Sequence, residues 1–419
     1  MKTDKLKKLL VMLILCLAGG TIYILPFLRE VYYIPMRDAF GYSNTQMGIV
    51  HGVYGAFSLI TYFPGGWLAD RFEARKLISL ALMGSALGGF YLSTLPNYFG
   101  VLAIQAHLGI CTSLVFWSAM IKATRCWADP ENQGRAFGIL ESGRGVTELA
   151  LSAALLAIFG LLGGSSEDFA SVILLLSAVN LILAVLAWLF LESEEPTAKK
   201  RPSLVPKFSQ LLDVIKLPHM WLIATVVFCS YCAYWGTFAF APYATEVFAF
   251  SVLAGGTLGV AKMWVKPLAA IAAGFLADQI RTSRMVSITL LVSSASFFLL
   301  CLLSGDSSQL GLMILLVMII SITVSSLRAI YFALLEEIDI PLAATGTAVG
   351  FASVIGFAPD VFMPLLMGYF LDNYQDGVGY RYFFATIAII CIVGALSSWL
   401  IMKRIPKLHR KVRSLPNVS

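Results

Sequence analysis

Residues Gly134 to Gly160 read GRAFGILESGRGVTELALSAALLAIFG. The run is long and apolar enough to cross a bilayer, for which about 20 residues suffice, yet it carries Glu141, Arg144 and Glu148. Spacings of three, four and seven put all three charges on one helical face, with each acid within reach of the arginine. A bare charge at the bilayer centre costs from about 2.5 to well over 10 kcal/mol, and pairing or hydration lowers that sharply. This helix is therefore expected to line a polar interior that other helices enclose.

The whole composition agrees. Hydrophobic residues make up 58% and charged residues 13% of the 419, against about a quarter charged in ordinary soluble domains, and the mean hydropathy is +0.82. The expectation is an all-α polytopic membrane protein. Lys2, Lys5, Lys7 and Lys8 precede an apolar run that has no small-residue cleavage site, so the first helix is read as an anchor and not a removed signal. The net charge of +6 resides in short loops and the tail, as the positive-inside rule requires, which removes any need for a nucleic-acid partner. Seven cysteines, an odd number mostly at membrane depth, argue against a disulfide framework. Cys229 and Cys232 form a C-x-x-C mid-span without a second ligand pair, so neither a metal site nor a cofactor is expected.

Twelve apolar segments can be counted, at 9–33, 44–69, 77–95, 98–121, 136–162, 169–191, 219–247, 252–277, 285–304, 308–334, 343–371 and 380–402. The distribution of Lys and Arg puts both termini in the cytoplasm. The stretch from Glu192 to Lys216, rich in charge and proline, is the one long polar interruption. It suggests an N-terminal six-helix bundle (1–191), a cytoplasmic central loop (192–218) and a C-terminal six-helix bundle with a basic tail (219–419). The halves align: Gly66, Leu68, Ala69 and Asp70 match Gly274, Leu276, Ala277 and Asp278 at an offset of 208, and Gly134, Gly138 and Glu148 match Gly346, Gly350 and Asp360 at 212. With six spans per copy the repeats are parallel. They are expected to be related by a pseudo-twofold along the membrane normal, with a site between the halves near the midplane.

At Gly65–Lys76, GGWLADRFEARK, the chain resembles the major facilitator superfamily, whose signature between helices 2 and 3 is matched by Gly66, Leu68, Ala69, Asp70, Arg71, Arg75 and Lys76. Glu73 and Ala74 depart from it, and the second copy at Gly274, GFLADQIRTSR, is looser. The resemblance implies a secondary transporter that works by alternating access, with Asp70, Arg71, Arg75 and Asp278 as gating residues. Asp70 would accept hydrogen bonds from the start of helix 11 near Gly346, whose dipole favours an anion, while Arg71 and Arg75 reach carboxylates. The family's helix 4 often carries an arginine where this chain has Gln105; nearby His107 either titrates or packs as a neutral, hydrogen-bonded side chain.

Other charges lie within spans. Lys262 and Lys266 are four apart on one face of helix 8, next to Pro267. Two ammonium groups so close call for an anion, and Glu148, Asp360 or a substrate are the candidates. Asp360 occupies the repeat position of Glu148, so the two acids are expected to face one central space. The alternative is that Glu141, Arg144, Glu148, Lys262, Lys266 and Asp360 only form salt bridges that fix the structure. Arg29 and Glu30 read as interfacial, Arg29 with the capacity to bind an anion, and Arg328 is expected to pair with Glu336 or Glu337. Tyr234, Trp235 and Phe238 on helix 7 either contact a substrate ring or pack.

The expected function is thus secondary transport of a small organic anion by a monomer in the bacterial inner membrane, coupled to protons. Arg144, Lys262, Lys266, Arg29, Tyr234 and Trp235 would bind the substrate, and Glu141, Glu148, Asp360 and His107 would handle protons. The general layout resembles the organic-anion and sugar-phosphate branch, although helix 7 lacks the basic residue that a matched arginine pair for phosphate would need. The competing reading is a proton-driven exporter of amphipathic or cationic compounds, which the lysines oppose. No H-E-x-x-H, G-x-S-x-G or Walker pattern occurs, so an intramembrane enzyme or an ATP-driven pump is not supported.

Overall fold

The computed structural model describes residues 2–127, 133–191, 216–338 and 342–413. The central loop falls almost wholly outside these residues, as do the side chains of Asp70, Asp278, Glu336 and Gly346 and its neighbours. Every regular element among the described residues is helical, and nine helices among them are long and apolar enough to cross a membrane.

Contacts divide the chain into two compact units. The first comprises Met1–Lys199, Ala241–Met263 and Asp360–Asp372, and the second Lys200–Phe240, Trp264–Pro359 and Asn373–Ser419.

In the first unit the Lys2–Thr21, Ala74–Leu92, Ser118–Trp127, Gln133–Leu162 and Phe169–Phe190 helices share a core of Leu15, Ile78, Leu82, Met120, Leu140 and Ala187. The segment read as one span over 9–33 is broken. Helix Lys2–Thr21 ends, turns carry residues 22–28, and a second helix runs from Arg29 to Phe40. Pro26, which has no amide proton to donate, lies in the break, and Tyr32 is non-helical at φ −114° and ψ 38°. Gly20 permits the close crossing just before the break, since a Cβ there would stand 2.5 Å from the Arg144 carbonyl oxygen. The next span opens with a capping box, Ser43 with Gln46, that settles two otherwise orphaned amides. Its Asn44–Arg71 helix lies so close to the Pro359–Asn373 helix that a Cβ on Gly55 would stand 2.5 Å from the Asp360 carbonyl oxygen. Asp372 accepts from the amides of Asn44 and Thr45 at 2.9 and 2.7 Å, tying the same two helices at their ends.

Between Tyr98–Gly109 and Ser118–Trp127 the backbone is a π-helix, Ile110–Trp117. Such segments widen the turn and are common at functional sites.

The second unit is built on Pro218–Gly236, Thr282–Cys301, Leu310–Ile330 and Val378–Arg413, with Trp235, Phe238, Phe297, Phe383 and Ile387 fully buried. Within the segment read as 219–247 a 3-10 turn, Thr237–Ala239, interrupts the helix. The segment read as 343–371 is likewise two helices, Leu342–Gly356 and Pro359–Asn373. The residue before a proline is pushed out of the α region, which accounts for the stop at Phe357 and Ala358. Glu30 and Asp360 therefore both stand in the first turn of a helix that restarts after a break.

Candidate functional site

The Gln133–Leu162 helix carries its arginine toward aromatic rings. Arg144 Nη1 lies 2.6 Å from Glu141 Oε1, Nε donates to the Gly19 carbonyl at 3.3 Å, and the guanidinium sits 5.7 Å from the Tyr23 ring and 5.2 Å from Trp117. The arginine side chain is 16% exposed and that of Glu141 is 59%. Helix Lys2–Thr21 supplies the carbonyl, the turn after it supplies Tyr23, and the π-helix supplies Trp117. The i, i+3 spacing of Arg144 and Glu141 predicts their pairing; the two rings come from distant segments and were missed. Glu148 is half-buried, one turn further along.

A second charged cluster is buried at the restarted helix. Lys262 Nζ lies 2.7 Å from Glu30 Oε1, with side chains only 7% and 9% exposed. The sequence reading offered Glu148, Asp360 or a substrate as the anion for this lysine and did not name Glu30, which pairs with it here. It also placed Arg29 and Glu30 at the interface, whereas both are buried, at 2% and 8%. Arg29 donates to the Met47 carbonyl at 3.3 Å, reaches Met367 Sδ at 3.7 Å and lies 5.2 Å from the Tyr33 ring centroid. The break over residues 22–28 turns both side chains inward, which a continuous helix would not do. His51, 1% exposed, packs edge-on against Phe27 at 4.8 Å and beside Tyr54 at 5.3 Å. Asp360 is half-buried and Lys266, in the second unit, is exposed. His107 Nε2 lies 2.9 Å from the Gly84 carbonyl oxygen and 3.4 Å from Cys111 Sγ.

In the second unit the aromatic residues divide. Trp235 is fully buried and stacked on Phe238 at 4.5 Å and 25°, so in this conformation it packs and offers no surface to a ligand. Tyr234 is half-buried, and Arg328 lies over its ring at 4.1 Å. Glu337, an expected partner of Arg328, instead accepts from the Ser283 amide at 3.0 Å at the start of a helix.

At the signature motif Arg71 lies over the Trp67 ring at 4.0 Å and Arg75 over Trp188 at 4.9 Å. Lys76 pairs with Glu73 at 2.8 Å. Lys122, which sequence reasoning passed over, donates to the Ala69 and Phe72 carbonyls at 2.8 and 3.2 Å and so closes the end of the Asn44–Arg71 helix. Among the described residues no cluster of His, Cys, Asp and Glu could hold a metal ion.

The sequence matches the profile of the family described as Major Facilitator Superfamily over residues 9–265 and 223–417. It is 30% identical over 412 residues to the inner membrane protein YihN of Escherichia coli (strain K12), covering 97% of this chain and 98% of that one. With the hexuronate transporter of Bacillus subtilis (strain 168) the identity is 24% over 386 residues, 87% of this chain and 88% of that one. In fold, the chain is similar to the crystal structure of a bacterial homolog of the human lysosomal transporter Spinster, in an inward-facing and unoccupied conformation. That likeness has a TM-score of 0.75 at 15% identity and covers 96% of this chain and 98% of that chain.

Proposed function

This chain belongs to the Major Facilitator Superfamily, and on that premise we propose that it carries a small organic anion across the membrane by alternating access, coupled to protons. It is an integral, multi-pass membrane transporter and not an enzyme. The proposed layout is twelve spans in two six-helix bundles, 1–191 and 219–419, with a central loop at 192–218, both termini cytoplasmic, and a monomer as the working form.

The observation that carries the anion reading is Arg144. It is a guanidinium 16% exposed, set in a membrane-crossing helix and laid against Tyr23 and Trp117, and it presents a planar donor fork suited to a carboxylate. Its ion-pair partner Glu141 is largely exposed and exchangeable, so a substrate carboxylate can take that place with little loss. Lys266 adds a second exposed cation at membrane depth. Lys262 takes a different role from the one its sequence position suggested: its charge is already matched by Glu30. In this reading that pair is a latch that an arriving anion or proton loosens, and Arg29 steadies it. Glu148 and Asp360 remain the proton-handling acids, and Asp70, Arg71, Arg75 and Asp278 the gate.

The B. subtilis relative is a hexuronate transporter by name, and a hexuronate is a sugar that carries a carboxylate. Thermal-shift measurements on the purified protein with D-glucuronate, D-gluconate, D-glucose and tetraphenylphosphonium test the reading. Stabilisation by the two carboxylates but not by the neutral sugar is the expected result. Stabilisation by the cation alone overturns it in favour of cation export.

A further inference from the structure

The Asn44–Arg71 helix, the second of the proposed spans, keeps one apolar stripe exposed. Phe57, Ile60 and Trp67 share a face and are 40%, 72% and 54% exposed. Four residues past Trp67, on that face, the helix ends at Arg71, whose guanidinium lies over the Trp67 ring at 4.0 Å. The membrane-crossing Phe169–Phe190 helix likewise exposes Ile182, Val185 and Trp188. Over Trp188, at 4.9 Å, lies Arg75 from the first turn of the Ala74–Leu92 helix. Only Phe72 and Glu73 separate the two helices that carry these arginines, so both guanidiniums belong to one short turn. Among the described residues no acid pairs with either of them; Glu73, between them in the chain, pairs with Lys76 at 2.8 Å.

The second unit, taken by itself, carries the same device. Ile389, Leu396 and Trp399 share an exposed face of the Val378–Arg413 helix, and Lys403 Nζ, four residues on, lies over the Trp399 ring at 3.7 Å. An exposed apolar stripe on a spanning helix meets acyl chains, and an indole at its end belongs at the level of the lipid headgroups. Snorkelling alone would carry a cation to that level with no ring beneath it. A guanidinium over an indole is instead held in place. Two of them at one turn, neither matched by an acid among the described residues, suit a phosphate.

We propose that the turn between Arg71 and Arg75 is a docking site for an anionic phospholipid, its headgroup phosphate held by the two guanidiniums and its acyl chains laid along Ile60 and Trp67. The occupant is a lipid and not a free phosphate because the arginines crown apolar stripes suited to acyl chains. The site is independent of the transported substrate, and it adds a lipid contact to two residues that the proposed gate also uses.

Native mass spectrometry of the full-length protein in detergent, with dioleoyl-phosphatidylglycerol and dioleoyl-phosphatidylcholine added separately, tests the site. The two lipids share chains and phosphate, but choline brings its own cation, so phosphatidylglycerol should bind more tightly. Arg71→Gln combined with Arg75→Gln should weaken it by about fivefold per arginine, the usual worth of one basic residue at an anionic membrane surface, and leave phosphatidylcholine unchanged. Glycerol 3-phosphate, the headgroup phosphate without chains, should not displace it. In the unsubstituted protein in nanodiscs, phenylglyoxal modification is read by peptide mass spectrometry as phosphatidylglycerol replaces phosphatidylcholine. It should slow several-fold more at Arg71 and Arg75 than at Arg284, which is exposed and has no ring beneath it among the described residues. That readout stands even if the double variant fails to fold. Equal binding of the two lipids, wild-type phosphatidylglycerol affinity in the double variant, or equal slowing at all these arginines overturns the proposal. Displacement by glycerol 3-phosphate overturns the lipid and makes the turn a soluble-phosphate site.

Discussion

Glu30 Oε1 and Lys262 Nζ lie 2.7 Å apart with side chains 9% and 7% exposed, an ion pair from two segments more than half the chain apart. Removing one member of a buried pair leaves an uncompensated charge and typically costs about 3–5 kcal/mol, whereas replacing both with groups of similar volume is often neutral. Glu30→Gln and Lys262→Met are therefore each expected to lower the melting temperature clearly, and the double variant to recover most of the loss. Additive losses in the double variant would show that the two side chains do not act as a pair.

Arg144 and Glu141 should separate by function and not by stability. The carboxylate is 59% exposed, so the pair contributes at most about 1 kcal/mol after solvent screening, and Glu141→Gln should leave the melting temperature nearly unchanged. Arg144→Lys keeps the charge but loses the planar fork over Tyr23 and Trp117, and substrate uptake into proteoliposomes should fall at least tenfold. Full uptake by Arg144→Lys would remove the guanidinium from the substrate site.

Gly55 marks one close approach of the Asn44–Arg71 and Pro359–Asn373 helices. A Cβ would stand 2.5 Å from the Asp360 carbonyl oxygen and 2.9 Å from its Cβ, and backbone cannot yield as a side-chain tip can. Gly55→Ala should destabilise the protein by about 1–3 kcal/mol, as overpacking commonly does. A melting temperature equal to the wild type would mean that the helices part without penalty.

Lys122 caps two carbonyls at the end of the same helix, beside the signature motif. Lys122→Met should cost about 1–2 kcal/mol, less than a fully buried charged hydrogen bond because the ammonium is half exposed, and should slow transport without weakening substrate binding. Binding and uptake measured on the same preparation distinguish this from loss of a ligand contact, which would weaken both.

The proposed proton coupling rests on the positions of Glu148 and Asp360, 212 residues apart. At least one of Glu148→Gln and Asp360→Asn should retain substrate exchange across vesicles while losing accumulation driven by a pH gradient. Should both variants concentrate substrate with the wild-type pH dependence, the acids are structural.

The class of this protein was legible in residues 134–160 and in the composition, because a bilayer imposes a length and polarity on every span that no local context overrides. The signature at Gly65–Lys76 carried the family. The pairing of Arg144 with Glu141 followed from helical spacing alone. What tertiary structure decided was the company each charge keeps. Arg29 and Glu30 look interfacial if the first span is a continuous helix, whereas after the break over 22–28 Arg29 is buried against Met47 and Tyr33 and Glu30 against Lys262. Arg328 has two acids a short way along the chain, yet its nearest ring belongs to Tyr234, nearly a hundred residues earlier. Periodicity fixes which side of a helix a residue occupies, but which helix lies opposite is set by breaks, by glycines such as Gly55 that admit a neighbour, and by long-range packing, and none of these has a local signal.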